Sequence, residues 1–374
     1  MLNTILLLAT LTAADPETLT RIKPRLQAHV DSGGINGTVS LILEKGQPVH
    51  FETTGWADRE NNKPMRKDSI FQIMSMTKPI TGTGIMMMVE EGKLNVNDPV
   101  AKYLPEFKDK PTVLIRQLMT HSSGMASNPP GDKMEWYYSL KVSLEEAVKF
   151  YSTVPLLQEP GTKWVYSNMG LATLGRLIEV TSGMKYEDFI SKRLLQPLGM
   201  NDSFYFVPAG KQSRIVVNYC SKEGKLSPCP HATLGGDSRD LRAGATYPAP
   251  EFGLYSTAED LSRFYQMIAN GGSSNGKRYL SKSSVDAMTM VQTGDLKAGH
   301  NPGTAFGLTW EVARDASSAA MLWSIGSFGH GGAFGTHGWI DPTKKIVGVF
   351  MVQGGQGAAE AKANFIAMAS ASAN

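Results

Sequence analysis

Cysteine is nearly absent from this chain: 374 residues carry two, Cys220 and Cys229. Long runs of one charge are missing too, and 37 basic against 34 acidic residues leave a net charge of +3. That balance excludes a nucleic-acid partner or an anionic membrane surface as the basis of function. No low-complexity block and no internal repeat is present, which argues against a solenoid or a propeller. The seven histidines show no H-E-x-x-H or other metal-binding spacing, so neither metal nor cofactor is expected. The only long apolar run near the start, within MLNTILLLATLTAAD, is far too short to span a bilayer, so no stable membrane insertion is expected. Its small-residue end, Thr12-Ala13-Ala14, has the form of an export cleavage site, and residues 1–14 read as a signal peptide. Export to the periplasm or the medium follows, with cytoplasmic residence and an apolar start of the mature fold as the alternative. In NYCSKEGKLSPCP, Gly224 and Pro228 suggest a turn bringing the two cysteines together, either as a disulfide in an exported protein or as two free thiols.

What is present centres on residues 71–92, FQIMSMTKPITGTGIMMMVEEG. Ser75 and Lys78 lie three apart at the start of an expected helix, so hydroxyl and amine share one face. This pairs a nucleophile with a base or an electrostatic helper. Ile85 to Val89 is apolar nearly all round, and Gly82 and Gly84 permit close approach by neighbours, which predicts a central, buried helix. A lysine buried at its start is costly unless it has work to do. Pro79 is tolerated in a first turn, where its missing N–H has no intrahelical partner. Ser-x-x-Lys alone is common by chance, so other segments must support it.

The chain opens with helical spacing over residues 16–30, followed by two β-rich runs, 37–44 and 48–54, around Lys45-Gly46. Residues 112–198 read as mainly helical, with segments at 113–119, 144–151, around 171–178 and at 186–195. Residues 204–246 are polar, rich in Gly and Pro, and resist assignment, whereas 257–270 returns to helix with an acidic start. Strands are expected at 306–312, 319–324, 336–341 and 345–352, then a last helix at 358–371. These elements predict an α/β (α+β) fold: one antiparallel sheet built from both chain ends and flanked by helices, beside a mostly helical insert. The expected units are 15–105 with 247–374 for the sheet, and 106–246 for the insert, with a cleft between them.

Two further segments carry chemistry. Tyr166-Ser167-Asn168 enters a helix, where Asn168 is a plausible N-cap and Tyr166 either fills core or serves as a base. A phenol beside an ammonium is favoured as phenolate, which could accept the Ser75 proton. Gly329-His330-Gly331-Gly332-Ala333 precedes a strand and, taken alone, is a flexible loop with a partly exposed histidine. Taken with the others it is the third wall of a site, and the backbone N–H groups of Ser75 and Ala333 could form an oxyanion hole.

Ser-Met-Thr-Lys, Tyr-Ser-Asn and His-Gly-Gly, in that order around a helical insert, resemble the serine β-lactamase and penicillin-binding-protein superfamily. The closer resemblance is to its class C β-lactamase and family VIII carboxylesterase branch. The connecting text LNVNDPVAKYLPEF, LMTHSSGM, EPGTKWVYSNMGLATLGRLIEVTSG and LLQPLGM is similar as well, so the likeness covers residues 17–370. It implies an acyl-enzyme serine hydrolase acting on a small ester or amide, with Ser75 as nucleophile and Lys78 and Tyr166 as the base pair. Asn168 would orient Lys78 and the substrate, and His330, Gly331 and Gly332 would line the third wall. His330 and Gly331 stand where lactamases usually carry Lys and Thr. An imidazole largely neutral at pH 7 then replaces an ammonium that pairs with a substrate carboxylate. The expectation therefore moves to a carboxylesterase on short acyl esters. A β-lactamase or D-alanyl-D-alanine peptidase is the alternative, and a non-catalytic binding or sensor protein of the same fold a third.

Two decoys fall away. Gly272-Ser273-Ser274-Asn275-Gly276 matches the G-x-S-x-G pattern but follows a helix, whereas a nucleophile elbow needs strand, turn, helix. Residues 271–277 have phosphate-loop spacing, yet Arg278 stands where a magnesium-bound Ser or Thr belongs.

Overall fold

The structure is a computed structural model that describes residues 14–230, 244–317 and 322–373. Of the leader read at residues 1–14, only Ala14 falls among them. Helix α1 (Pro16–Asp31) starts where the Asp15 side chain accepts from the backbone N–H groups of Glu17 and Thr18, with Pro16 in the first turn. Strands β1 (Gly37–Glu44) and β2 (Gln47–Asp58) form the expected hairpin, followed by the short strands β3 (Lys63–Pro64) and β4 (Phe71–Gln72). Helix α2 (Thr77–Glu90) is preceded by a 3-10 turn, Met74–Met76, so the helix proper begins two residues after Ser75.

The helical part follows as α3 (Ile115–Met119), α4 (Met134–Ser139), α5 (Leu144–Thr153), α6 (Asn168–Ser182) and α7 (Tyr186–Ile190), the last running into a π-turn at Ser191–Leu195. Most of α2 is buried among these helices. A Cβ on Gly84 would stand 2.8 Å from Ile178 and 2.9 Å from Ile190, and one on Gly82 would stand 2.1 Å from the Thr309 hydroxyl. The two glycines thus permit the close approach that their positions suggested.

The unassigned stretch holds a hairpin of β5 (Tyr219–Lys222) and β6 (Lys225–Pro228), closed by a disulfide between Cys220 and Cys229. Beyond it come β7 (Tyr255–Ser256), paired with β4, and helix α8 (Ala258–Ala269). The G-x-S-x-G decoy is a tight hairpin of β8 (Ser273–Ser274) and β9 (Lys277–Arg278), followed by α9 (Lys282–Thr289).

The C-terminal third departs from its expected boundaries. The strand read at 306–312 is a hairpin of β10 (Thr304–Phe306) and β11 (Glu311–Ala313). Gly307 must approach the Met288 carbonyl, which a Cβ would meet at 2.2 Å, and Thr309 takes a left-handed φ of 71° with its N–H on Met119. Neither contact leaves a mark in the apolar pattern. Of the strand read at 319–324, residues 319–321 lie outside the described residues and 322–324 form no strand. The strand here is β12 (Phe328–Gly331), which had read as a loop because two of its four residues are glycine. Strands β13 (His337–Asp341) and β14 (Ile346–Val352) and helix α10 (Ala358–Ser372) complete the fold.

One eight-stranded sheet results, in the order β10-β11-β12-β13-β14-β1-β2-β3, with antiparallel neighbours throughout. Strand β14 pairs directly with β1, Thr38 opposite Val352, so both chain ends build the centre. Helices α1 and α10 cover one face through Leu26, Phe365 and Ile366 against Ile42, Trp339 and Phe350. The other face packs Leu41, Val347, Val349 and Met351 into the core shared with α8 and the helical part. Because both faces are covered, β1 and β14 are buried at every position.

Candidate active site

Ser75 sits in the 3-10 turn that leads into α2, and the residue before it is strained. Met74 holds a left-handed φ of 50°, a conformation that costs a side-chain-bearing residue about 1 to 3 kcal/mol. The surroundings enforce it: the Thr77 hydroxyl donates to the Met74 carbonyl at 2.7 Å, and the Ile73 N–H donates to Leu254 at 3.1 Å. The nucleophile's turn is thereby fixed against the segment leading into β7.

Lys78 is completely buried, and its Nζ lies 2.8 Å from Ser75 Oγ and 2.7 Å from the carbonyl oxygen of Glu251. Burial drives its pKa down to about 7, against the opposing pull of the Glu251 carboxylate. Near neutral pH a large share of Lys78 is therefore the free amine, the form able to take a proton.

Tyr166 reaches the same centre from the loop entering α6. Its ring lies 4.7 Å from Lys78 Nζ, 4.3 Å from the His121 ring and 4.9 Å from that of His300, and its hydroxyl is hydrogen-bonded to Ser75. Burial raises the phenol pKa above its ordinary value, outweighing the Ser75 hydrogen bond. This corrects the phenolate expectation: burial of the ring outweighs the help a neighbouring ammonium could give, and the phenol keeps its proton near neutral pH.

The N-cap of α6 is Ser167, not Asn168. Ser167 Oγ accepts from the Gly170 N–H at 3.0 Å, and its own N–H donates to His121 Nδ1 at 3.0 Å. Asn168 donates from Nδ2 to Asn128 Oδ1 at 2.8 Å, while its Oδ1 is buried without a partner. The anchor on Lys78 is the Glu251 carbonyl, and Asn168 makes no hydrogen bond to the lysine.

The third wall is the end of β12. His330 is 3% exposed and so not on the partly open loop expected. Its Nδ1–H donates to the Gly331 carbonyl at 2.8 Å, leaving a buried Nε2 with no partner. Burial first, and the Lys78 charge second, push its pKa down to about 3. The imidazole is neutral at every pH at which the fold would ordinarily work. Gly332 and Ala333 begin the turn to β13, with the Gly332 N–H on the Thr336 carbonyl at 2.7 Å. Among the described residues, the Ala333 N–H has no acceptor.

Comparison with known proteins bears on this arrangement directly. The family description Beta-lactamase matches residues 22–373. The chain belongs to the Beta-lactamase family. Esterase EstB of Burkholderia gladioli is 30% identical over 332 residues, covering 81% of this chain and 82% of that one. The D-alanyl-D-alanine-carboxypeptidase/endopeptidase AmpH of Escherichia coli K12 is 26% identical over 346 residues, covering 90% and 84%. Among solved structures, EstCE1, a hydrolase with promiscuous acyltransferase activity, superposes with a TM-score of 0.85 at 22% identity, covering 95% of this chain and 99% of that one. Its likeness shows the fold. Membership of the Beta-lactamase family makes the protein a serine hydrolase.

Several groups at this Beta-lactamase-type centre went unnoticed in the sequence. His121 and His300 flank Tyr166, and Trp164 and Phe306 close the aromatic wall behind them at 5.4 Å from each other. Glu251 escaped because it lies in a Pro- and Gly-rich loop with no periodicity. The signal available was a lone carboxylate inside the apolar run PAPEFGLY. No helix among the described residues is long and apolar enough to cross a membrane.

Proposed function

We propose that this Beta-lactamase-family serine hydrolase is a carboxylesterase acting on short acyl esters. The observation that carries the reading is His330: the wall that would meet a substrate carboxylate presents a buried, uncharged imidazole, with its pKa down at about 3. Short esters carry no carboxylate and lose nothing there. The 30% identity with Esterase EstB supports the same choice.

In this reading neutral Lys78 takes the Ser75 hydroxyl proton as Oγ attacks the ester carbonyl carbon. The carbonyl oxygen gains the negative charge and is received by the N–H groups of Ser75 and Ala333. Collapse breaks the bond to the alkoxide, which takes a proton delivered from Lys78 through the Tyr166 hydroxyl, leaving an ester on Ser75. Water, deprotonated over the same route, then attacks that ester and releases the carboxylic acid and free Ser75. Asn168 and the β12 end, His330 to Gly332, bound the acyl site. Residues 106–246 bring in Tyr166 and Asn168, and the sheet-containing remainder supplies Ser75, Lys78 and the end of β12.

A D-alanyl-D-alanine peptidase is the second reading, favoured by the 26% identity with AmpH over 90% of this chain. A panel of p-nitrophenyl esters, a chromogenic cephalosporin and a D-Ala-D-Ala peptide, run on wild type and Ser75→Ala, separates the two. Short-ester turnover that dominates and vanishes in the variant supports the esterase; dominant peptide cleavage overturns it. We also propose that the protein works outside the cytoplasm, a reading supported by the Cys220 to Cys229 disulfide.

A further inference from the structure

Glu251 touches the reacting centre in two ways. Its carbonyl oxygen holds Lys78 Nζ at 2.7 Å, and its side chain is wholly buried behind the lysine among tyrosines. The hydroxyls of Tyr137 and Tyr247 both donate to Oε1, at 2.8 and 2.9 Å, while Oε2 has no partner. The segment is clamped to α2 on both sides of Lys78. Thr81 donates to the Pro250 carbonyl at 2.6 Å, and the Leu254 N–H donates to the Thr77 hydroxyl at 3.1 Å. Pro250 in turn fills the space over Gly175 of α6, where a Cβ would meet it at 2.2 Å. Ala249 turns the chain into this slot with a left-handed φ of 53°.

A buried carboxyl with one unsatisfied oxygen is expensive, and a leucine would fill such a site at less cost. Two phenol donors converging on one oxygen favour the ionised form. We propose that the Glu251 carboxylate, held by Tyr137 and Tyr247, is a positioning residue that governs how readily Lys78 releases its proton, and so sets the pH at which Ser75 becomes reactive. The inference rests on Ser75 and Lys78 being the reacting pair.

The other groups facing Lys78 do not supply this control. His121 and His330 are pushed well down by burial and stay neutral, the exposed His300 is also lowered, and the Tyr166 phenol is raised, so it keeps its proton. Around Glu251 stand Tyr137, Tyr151 and Tyr247, with Tyr166 and Tyr186 further off, all raised and therefore neutral. Burial raises the Glu251 carboxyl itself, and the phenol hydrogen bonds and Lys78 draw it back. A negative charge at Glu251 keeps the proton on Lys78 to higher pH; its removal frees the amine earlier.

The test is the pH dependence of Ser75 labelling by an alkyl phosphonate, and of kcat/KM on an acetate ester, in wild type and Glu251→Gln. The amide preserves shape and can still accept from both phenols. The acid limb of both profiles should move to lower pH, while rates well above the limb change little. Thermal melts monitor folding; if Glu251→Gln does not fold, Tyr137→Phe and Tyr247→Phe, each weakening the support of the carboxylate, should move the limb the same way. A limb that stays in place, or moves to higher pH, in the folded variants overturns the inference. Failure of the phosphonate to label Ser75 in wild type would instead remove the reading on which it rests.

Discussion

A side-chain carbon on Gly332 would stand 2.4 Å from the carbonyl oxygen of Ile73. This approach brings the end of β12 against the turn that carries Ser75, and the Thr336 hydroxyl, donating to the same carbonyl at 3.3 Å, ties the two together. Gly332→Ala should push them apart. We expect a loss of about 1 to 3 kcal/mol in stability from overpacking and about 100-fold in kcat/KM from misplacement of the oxyanion donors. A denaturant melt with steady-state kinetics checks both, and wild-type kinetics would show that the wall does not shape the site.

Ser75→Ala should fold normally and lose turnover together with covalent labelling by a phosphonate. Loss of one member of a unit that acts together costs several orders of magnitude. Label found on another residue of the variant would sink the assignment of the nucleophile.

The pH profile separates Lys78 from Tyr166 as base. Lys78 has its pKa lowered from 10.5 to about 7, so its amine appears as pH rises through about 7. The acid limb of kcat/KM for wild type should be centred there. A phenolate base, with its pKa raised above 10, would place the rise in strongly alkaline solution. Stability carries the opposite mark. The penalty for burying the ammonium is absent above pH 10.5 and grows as pH falls toward about 7. Lys78→Met should therefore melt higher than wild type at pH 6, by an amount that shrinks at pH 10, while losing activity at both.

His330→Lys should narrow the gap between short esters and a cephalosporin. A charge-assisted hydrogen bond to the substrate carboxylate contributes roughly 1.5 to 3 kcal/mol, or about 10-fold to 150-fold in the specificity constant. Acidifying the wild type to pH 5.5 should not reproduce this gain, because His330 does not protonate until about pH 3. Cephalosporin hydrolysis in wild type that rises as pH falls from 8 to 5.5 would contradict the burial of this imidazole.

The disulfide closes a loop with a sequence separation of 9. In the chain-entropy account such a loop contributes about 2 to 3 kcal/mol. Cys220→Ser with Cys229→Ser should lower the melting point without changing kcat, and mass spectrometry of unreduced protein prepared outside the cytoplasm should find no alkylatable thiol.

Local signals made much of this legible. Ser75 and Lys78 meet because three residues make nearly one helical turn, and the sheet strands 37–44 and 346–352 announce themselves by β-branched runs bounded by turns. What stayed hidden depends on distant contacts. The hairpin at Thr304–Phe306 and Glu311–Ala313 turns because Thr309 is pinned to Met119, and β12 forms because Gly329 lies under Trp339, whose Cβ a side chain there would meet at 2.8 Å. Charge states were hidden for the same reason. The sequence places Lys78 in a buried helix start, but it reads Tyr166 as favouring a phenolate and His330 as a partly exposed imidazole, whereas burial moves all three toward their neutral forms.

The pairing of β1 with β14 sets an order of assembly. Residues 37–44 have β2 as a neighbour from the outset, but their other edge is filled only by residues 346–352, and the N–H of Asp15 is met by the carbonyl of Ser372 at 2.7 Å. On the ribosome the first hairpin therefore waits with an open edge until nearly the whole described chain has emerged. Closing so large a loop is slow, and unpaired edges invite association with other chains. The same adjacency makes residues 15 and 372 suitable points to join by a short linker. A permuted chain reopened at an exposed loop of the helical part would make β1 and β14 close neighbours in sequence, and should refold faster while retaining the hydrolase centre.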